Sequence, residues 1–253
     1  MGNWSIAADR RAELMDDPAL PQAEHHHALD ALAVLNAVSL TARGLACGVI
    51  RLADPWPPGD GPLRLIDVAC GGGDVTLSLA ARLAAGLRRT PDGKPRSFEL
   101  IGLDVSQRAV HRARQLAAGR GIEAVTFEVR DVVHDGCPPC DIAVSSLFLH
   151  HLDDDHAIGV LQAMARAAVG GVVSDLVRSR LGLALATLGT TLLSTSRVAR
   201  IDGPLSVRAA RTPAEYAALA RRAGMAATVR RVWPERVLIE WSAGPTPRPG
   251  DGP

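Results

Sequence analysis

Three consecutive glycines at residues 71–73 form the stretch whose residue types most clearly allow chemistry. An apolar run over residues 63–69, which contains Asp67, precedes them, and a stretch with helical periodicity begins after them at Asp74. Strand, glycine turn and helix in this order let a ligand lie against bare backbone, because glycine has no Cβ and tolerates positive φ. The sequence therefore predicts a binding site at this turn.

The neighbouring residues separate the cofactor classes that use such a turn. A phosphate-binding P-loop needs Lys-Ser or Lys-Thr after the glycines, and neither pair follows here. A dinucleotide fingerprint needs GxGxxG; Gly71 and Gly73 fit its first two positions, but Thr76 stands at the third. Asp67 would repel a pyrophosphate and would suit a cationic ligand with an amino group. S-adenosylmethionine, a sulfonium with an ammonium group and no phosphate, is such a ligand.

The segment Asp67-Val-Ala-Cys-Gly-Gly-Gly73 resembles the first motif of class I S-adenosylmethionine-dependent methyltransferases, an acid followed by xGxGxG. The one departure is Ala69 for the first glycine, and we expect this small residue to fit at little cost. Asp104 and Asp131 follow at the ends of the next two strands, in the family's order. Residues 145–152, SSLFLHHL, are similar to the motif after strand four in ubiquinone- and menaquinone-biosynthesis methyltransferases.

The resemblance implies a cofactor site along the carboxyl ends of the strands. Asp104 would accept hydrogen bonds from both ribose hydroxyls, which one ionised carboxylate can do, and Asp131 would accept from the adenine amino group. The residues expected to contact S-adenosylmethionine are Asp67, Ala69, Cys70, Gly71, Gly73, Asp104, Val105, Asp131, Val132, Ser145 and Ser146.

His150 and His151 follow the fourth strand, near the switch point where ligands meet in this fold. Methyl transfer is a one-step displacement, so the enzyme supplies positioning and, for a weakly acidic acceptor, a base. Histidine suits that role because its ordinary pKa lies near neutral pH. Either histidine is a candidate catalytic residue; alternatively, one packs at a helix start and the other orients the loop. Asp175, Arg178 and Asp202 are further candidates for the acceptor side.

Two other groups of potential ligands are less informative. Cys137 and Cys140 have CxxC spacing, which fits a proline-stiffened loop with two thiols, a redox pair or half of a zinc site. Cys47 and Cys70 are not spaced as the other half. The adjacent histidines at 25–27 lie in a predicted helix, where their side chains would point in different directions. No metal site is predicted.

Strands and helices alternate from residue 63 onwards. The predicted strands are 63–69, 98–104, 124–129, 141–146 and 171–174, with helices over 75–87, 106–118 and 153–168. This order predicts a parallel sheet with helices on both faces. Two final runs, 226–233 and 236–241, predict an antiparallel hairpin at the sheet edge. The resemblance implies an α/β, Rossmann-like, doubly wound sheet of seven strands, mostly parallel with a reversed last strand.

The remaining segments surround this core. The predicted boundaries are 1–53 for an N-terminal helical lid, 54–62 for a proline-rich linker, 63–242 for the methyltransferase domain and 243–253 for a disordered tail. Within the lid, residues 23–53 predict one helix. Residues 176–200 predict one apolar helix, part of an acceptor cover over about 176–212, whose leucines pack in the core or line a greasy pocket. Thr212 and Glu215 predict a capping box.

The charge balance and the apolar runs of the sequence limit the classes of partner that we expect. Lys and Arg number 28 against 27 Asp and Glu, without a basic stripe, so nucleic acid is a poor candidate. No run reaches the roughly 18–20 apolar residues of a membrane span, and the N-terminus lacks a signal-peptide pattern. We expect a cytoplasmic monomer or homodimer.

These observations predict an S-adenosylmethionine-dependent methyltransferase of secondary metabolism that O-methylates a small phenolic, polyketide-like or quinone-type acceptor. The acceptor class rests on family analogy. C- or N-methylation of a similar acceptor and a non-catalytic cofactor-binding protein remain alternatives. A nicotinamide-dependent oxidoreductase is less favoured.

Overall fold

The computed structural model describes residues 6–17, 19–55, 61–89 and 93–243. Within them the strands are β1 (Leu63–Val68), β2 (Phe98–Asp104), β3 (Val125–Val129), β4 (Cys140–Ser146), β5 (Ala168–Leu176), β6 (Ala227–Val232) and β7 (Arg236–Ser242). They form one sheet in the order β3-β2-β1-β4-β5-β7-β6. β7 is antiparallel to both of its neighbours, and the other pairs are parallel. The predicted seven-stranded, mostly parallel sheet with a reversed last strand is confirmed.

Nine α-helices are described in the same ranges. They are α1 (Gln22–Val38), α2 (Thr41–Ala53), α3 (Asp74–Gly86), α4 (Gln107–Gly119), α5 (Val132–Asp135), α6 (Asp154–Ala167), α7 (Arg180–Leu193), α8 (Arg197–Ala209) and α9 (Pro213–Arg222). Short 3-10 helices cover Leu14–Asp16 and Leu149–His151. Local signals set several of these starts: the Ser106 side chain caps α4, and the predicted capping box of Thr212 and Glu215 begins α9.

Each face of the sheet has its own hydrophobic core, because successive strand residues point to opposite sides. From β1, Leu63 and Leu65 join a core with α2, α3 and α4, whereas Ile66 and Val68 join a core with α6 and α9. Helices therefore cover both faces, and the carboxyl ends of the strands form the edge where loops can build a site.

The single N-terminal helix predicted over residues 23–53 is wrong. α1 and α2 are separate helices bent by 57°, and Leu40 between them has a φ of 56°. The apolar spacing continues through both helices, so periodicity alone does not reveal the break. Leu45 and Val49 of α2 are fully buried in the core beneath the sheet. Only the part of the N-terminal region up to Val38 therefore remains available to cover a cleft.

The single apolar helix predicted over residues 176–200 is also wrong. β5, predicted as 171–174, continues to Leu176, and α7 and α8 then begin at separate caps, Ser179 and Ser196. Each serine hydroxyl accepts a hydrogen bond from a backbone N–H of the helix that it starts. These caps, rather than the run of leucines, were the signal for two helices.

The leucines of α7 lie mainly on the surface. Within this helix only Gly182 and Thr190 are buried, while Leu188 and Leu192 are 56% and 71% exposed. These leucines therefore neither fill the core nor line the cleft described below.

Two predicted segments fall wholly or partly outside the described residues, namely the linker at 56–60 and the tail at 244–253. In the described ranges no single helix has the length and apolar content to cross a membrane; the bent pair of α1 and α2 meets both criteria only when taken together.

Candidate active site

A cleft of about 960 Å³ opens at the carboxyl ends of β1, β2 and β4. The predicted site residues that line it are Ala69, Cys70, Gly71, Asp104, Val105, Asp131, Val132, Ser146 and His151. The other predicted residues, Asp67, Gly73, Ser145 and His150, lie behind this wall. The structure thus brings the predicted residues together at one cleft. One group lines the cleft, and the other group is buried beneath the lining residues.

The glycine turn is left-handed at three positions. Ala69, Gly71 and Gly73 have φ values of 58°, 54° and 80°. A Cβ built at Gly71 would meet nothing within 4 Å, whereas one at Gly73 would lie 2.7 Å from the Ala113 side chain. Gly71 therefore leaves its backbone open to the cleft, and Gly73 allows α4 to approach.

Ala69 raises the energy of the folded glycine turn. Its size fits, but its φ lies in the left-handed region, which raises the energy of an L-residue by about 1–2 kcal/mol. The expectation from size alone is wrong, because the missing glycine supplied conformational freedom and not space.

Asp104 fixes two parts of the cleft backbone. Its Oδ2 accepts from the Gly71 N–H and its Oδ1 from the Ser106 N–H, both at 2.8 Å. A carboxylate has about four acceptor positions, so these bonds leave capacity for further donors. Asp104 thus locks the glycine turn to the end of β2 and presents a carboxylate at the cleft wall.

Asp131 caps the short helix α5. Its Oδ1 accepts from the backbone N–H groups of Val133 and His134, and its Oδ2 lies 2.7 Å from Nδ1 of His134. The hydrogen bond from His134 lowers the pKa of Asp131, so this carboxyl is an ionised acceptor at the cleft edge.

Asp67 lies behind the glycine turn and is 1% exposed. Its Oδ2 accepts from the Thr76 hydroxyl at 2.7 Å, but its Oδ1 has no hydrogen-bond partner among the residues that the structure describes. Burial raises the pKa of Asp67 to about 7. Thr76, at the third glycine position of the dinucleotide fingerprint, is therefore the hydroxyl that holds this acid.

Ser145 supports the wall from behind. It is fully buried, and its hydroxyl donates to the Val68 carbonyl at 2.8 Å, which ties β4 to β1. The next residue, Ser146, faces the cleft.

His150 is paired with Asp175 at the end of β5. Its Nδ1 lies 2.6 Å from Oδ1 of Asp175, and its backbone N–H donates to Oδ2. Because a carboxylate only accepts, the proton of this bond belongs to Nδ1. Burial acts to raise the pKa of Asp175, but its interactions with His150 outweigh burial and leave the pKa below its usual range. Asp175 therefore orients the His150 ring.

His151 is the histidine that reaches the cleft. It is exposed, and its ring centroid lies 4.3 Å from that of His150. The Leu149–His151 helix thus turns one imidazole toward the interior and the next toward the cleft.

Arg211 holds the loop that carries both histidines. Its guanidinium, 1% exposed, donates to the carbonyls of Leu149 and Leu152 at 2.7 and 2.8 Å and also binds Asp154. The two carbonyls bracket the histidine pair. Sequence reasoning missed this residue because an arginine before a capping box carries no local signal.

The N-terminal segment, residues 6–17, is attached to α8 beside the cleft. The Asp202 carboxylate accepts from the backbone N–H groups of Leu14 and Met15, at 2.9 and 3.0 Å. Ser206 donates to the Glu13 carboxylate at 2.5 Å, and Glu13 Oε1 lies 3.8 Å from Nε2 of His150. Asp202, suggested above for the acceptor side, is buried and caps this segment. Glu13 was also missed, since nothing in its local sequence marks it.

Arg178, another charged candidate for the acceptor side, makes its hydrogen bonds to residues of the protein itself. It is buried and donates to the carbonyls of Ile6 and Ala210 and to the Glu215 carboxylate. It therefore joins the N-terminal segment to the start of α9.

α1 covers one side of the cleft. Its cleft-facing residues are His25, Leu29, Leu32 and Asn36. Asn36 donates to Asp74 at 3.0 Å, and Arg112 on α4 pairs with Asp30, so both neighbouring helices hold α1. Of the three adjacent histidines, His25 lines the cleft and His27 contacts Thr195, so they point in different directions, as predicted.

Solved structures share this fold. A magnesium protoporphyrin IX methyltransferase from Synechocystis PCC 6803 matches with a TM-score of 0.55 and 16% identity, covering 83% of this chain and 85% of that one. An O-methyltransferase from neocarzinostatin biosynthesis matches with a TM-score of 0.60 and 20% identity. That match covers 91% of this chain and 59% of the other, so the present chain spans less than two thirds of that neighbour. At these sequence identities, the two matches show a shared fold and nothing about the acceptor.

Sequence comparison decides the family. Residues 65–171 match the family model described as "Methyltransferase domain". The curated trans-aconitate 2-methyltransferase from Rhodococcus jostii (strain RHA1) is 26% identical over 197 residues, covering 74% of this chain and 70% of its own. Residues 65–171 form a methyltransferase domain, and the protein is an S-adenosylmethionine-dependent methyltransferase.

S-adenosylmethionine is the cofactor of this methyltransferase, and the residues of the cleft fit it. Asp67 lies behind the glycine turn, where its carboxylate can attract a cationic ligand without touching it, and the open backbone at Gly71 lets a ligand approach closely. Asp104 and Asp131 add two carboxylates that can accept from hydroxyl and amino groups. No phosphate-binding lysine follows the glycines, which agrees with a cofactor that carries no phosphate.

Proposed function

We propose that this methyltransferase transfers a methyl group to an oxygen of a small apolar phenolic or quinol acceptor. The observation that carries the proposal is that His151 lines the same cleft as several apolar side chains. These side chains are Met15, Leu32, Leu147, Phe148 and Leu152. Such a wall suits a flat apolar ring, and the imidazole suits its hydroxyl.

The cofactor end of the cleft takes the roles that the family resemblance implies. Asp104 accepts from the ribose hydroxyls, Asp131 from the adenine amino group, and Asp67 neutralises the ammonium group from behind the glycine turn. The remaining predicted contacts that line the cleft are Ala69, Cys70, Gly71, Val105, Val132 and Ser146, whereas Gly73 and Ser145 support the wall from behind. The two ionised or ionisable acids near Gly71 support this orientation, because they complement a cationic ligand.

The bound cofactor supplies a methyl group on a sulfonium centre. A ring nitrogen of His151 takes the proton of the acceptor hydroxyl as its oxygen attacks. His150 and Asp175 hold the neighbouring loop in place, and Arg211 fixes the carbonyls on either side of the pair. In this proposal His151 is the catalytic residue and His150 is a positioning residue.

Two relatives suggest different acceptors. The neocarzinostatin-pathway neighbour is described in complex with 2-hydroxy-5-methyl naphthoic acid, an aromatic hydroxy acid. The curated relative is described as acting on trans-aconitate. The apolar residues around His151 favour the aromatic class over a polyanion.

An acceptor screen tests the proposal. The purified protein is incubated with S-adenosylmethionine and phenols, quinols, hydroxynaphthoic acids, matched analogues without the hydroxyl, and trans-aconitate. We expect products one methyl group heavier only where a phenolic hydroxyl is present. Turnover with trans-aconitate but with no phenol or quinol would overturn the acceptor class, and methylation of the hydroxyl-free analogues would favour C-methylation.

Two histidine variants then test the base. His151→Ala should lower turnover by about 10²–10⁴-fold, the range for loss of a general base. The matched control is His156→Ala, which also lines the cleft but pairs with Asp153 on the surface. Equal turnover of both variants across pH would show that His151 is not the base. Cytoplasmic location and a monomeric or homodimeric state stay predictions.

A further inference from the structure

Glu13, His150 and His151 bring three potential metal ligands together beside the cleft. One ligand atom from each residue lies within 4.8 Å of the other two. Glu13 belongs to the N-terminal segment and the histidines follow β4, so the cluster is made by the fold and not by local sequence.

His150 is oriented as a metal ligand. Its Nδ1 is committed to Asp175, so in the neutral ring the lone pair is on Nε2. A carboxylate behind a histidine is the usual arrangement that fixes a ligating imidazole and raises its basicity. Asp175 is fully buried and accepts from the His150 backbone as well, which leaves the ring little freedom.

The gap between His150 and Glu13 has the size of a shared ion. Nε2 and Oε1 are 3.8 Å apart, which is too long for a hydrogen bond. Tetrahedral zinc bonds of about 2.0–2.2 Å to nitrogen and oxygen place two ligand atoms about 3.3–3.6 Å apart. The observed separation therefore needs to shorten by only a few tenths of an ångström for both atoms to bind one cation.

Glu13 is held in this position by its neighbours, and His151 completes the cluster from the cleft side. The Glu13 residue is 8% exposed, accepts from Ser206 and precedes the two residues whose N–H groups Asp202 caps. A ring nitrogen of His151 lies within 4.8 Å of the ligand atoms of the other two residues. Because His151 lines the cleft, the remaining coordination positions of an ion would face the cleft.

We propose that Glu13, His150 and His151 bind one divalent transition-metal ion of the zinc type, with Asp175 supporting His150. Two imidazoles and one carboxylate form a common ligand set for such ions in sites that keep a position open. The ion joins the N-terminal segment to the loop after β4 at the acceptor end of the cleft. The ring nitrogen that binds the ion cannot also take a proton, so the base role proposed above for His151 belongs to the metal-free protein.

Metal titration of the full chain tests the site. Chelator-treated protein is titrated with Zn²⁺ by calorimetry and with Co²⁺ by visible absorption, without cofactor or acceptor. We expect one ion per chain, at least about tenfold weaker binding in Glu13→Gln and in His151→Ala, and loss of the Co²⁺ ligand-field bands in both. Glu13→Gln keeps an oxygen for the Ser206 hydroxyl, and a circular dichroism spectrum checks its fold.

His27→Ala is the matched control, since His27 is also exposed but contacts Thr195 away from the cluster. It should bind as the unaltered protein does. The proposal is overturned if the unaltered protein shows no saturable binding, if Glu13→Gln binds equally well, or if His27→Ala loses the ion. Because binding is measured without an acceptor, its failure leaves the methylation proposal standing, and an inactive acceptor screen leaves the metal site standing.

Discussion

The two ends of the cleft are assembled by contacts of very different sequence separation. At the cofactor end, Thr76 binds Asp67 nine residues away and Gly71 binds Asp104 at a separation of 33. At the end proposed for the acceptor, called the acceptor end below, Leu14 is capped by Asp202 at a separation of 188. The cofactor end is thus a set of strand ends in chain order, whereas the acceptor end joins segments that are remote in the chain.

Because of this difference, the cofactor end can be predicted from the sequence and the acceptor end cannot. A strand end followed by a glycine turn is a local pattern, and its chemistry can be read from neighbouring residues. The acceptor wall combines Met15 from the N-terminal segment, Leu32 from α1 and Phe148 from the loop after β4. None of these three residues has a local pattern that assigns it to a shared wall.

The largest effect is expected from Asp104→Ala, which acts on the cofactor end. The change removes the acceptor of two backbone N–H groups and, in the proposed role, of two ribose hydroxyls. Hydrogen bonds to a charged group contribute about 1.5–3 kcal/mol each, so S-adenosylmethionine should bind about 100- to 10,000-fold more weakly. Calorimetry measures this, with Asp135→Ala on α5 as an exposed control. Unchanged affinity would mean that the ribose lies elsewhere.

A pH-dependent effect is expected at Asp67. The folded protein has a carboxyl pKa of about 7 there, against an ordinary value of 3.8. Between these values the folded state keeps a proton that the unfolded chain has lost. The contribution of Asp67 to the free energy of unfolding therefore falls by about 1.4 kcal/mol per pH unit as pH rises, and is constant above pH 7.

Urea unfolding of the ligand-free protein between about pH 5 and pH 8 measures this effect. The unfolding free energy of the unaltered protein minus that of Asp67→Asn should fall by about 1.4 kcal/mol per pH unit up to about pH 7 and then stay constant. S-adenosylmethionine affinity should rise over the same interval, because its ammonium group prefers the ionised carboxylate. Parallel stability curves over the whole range would show that Asp67 ionises normally.

A smaller effect, confined to the acceptor end, is expected from Asp202→Ala. The change removes the cap on the N–H groups of Leu14 and Met15, a contribution of about 0.5–2 kcal/mol. The acceptor KM should rise by about 2- to 30-fold while S-adenosylmethionine affinity stays the same. Asp9→Ala is the control, since Asp9 pairs with Arg11 in the same segment. An equal loss of cofactor affinity would contradict the division into two ends.

The smallest effect is expected from Ala69→Gly. Glycine relieves the left-handed strain but has more freedom in the unfolded chain, so the net gain in stability is at most about 1 kcal/mol. Ala81→Gly, at an exposed position in the interior of α3, should instead lose about 0.5–1 kcal/mol. Thermal unfolding compares them, and equal shifts of the same sign would mean that the φ of Ala69 is not strained.

Sequence patterns predicted the sheet closely. The predicted bounds of β2 are the observed ones, and the hairpin and the capping box at Thr212 were also found. Each depends on residues within a few positions of one another. The two failed helices share one cause, because an apolar period continues through a break such as Leu40 and does not mark it.

The candidate site was predictable only in part. Asp104 and Asp131 reach the cleft as expected, since Asp104 ends β2 and Asp131 follows β3 by two residues. His150 and His151 are chemically identical neighbours, and only the 3-10 turn decides which one faces the cleft. Arg211 acts on carbonyls about sixty residues away, so its role exists only in the folded chain.

The cap that Asp202 places on residues 14 and 15 has a consequence for the order in which the enzyme matures. During synthesis the N-terminal segment emerges long before the carboxylate that fixes it. Contacts between distant residues form late, because closing a long loop is entropically unfavourable until other contacts hold its ends. We therefore expect the newly made chain to form the binding site for the methyl donor first. The wall that encloses the proposed acceptor would form last.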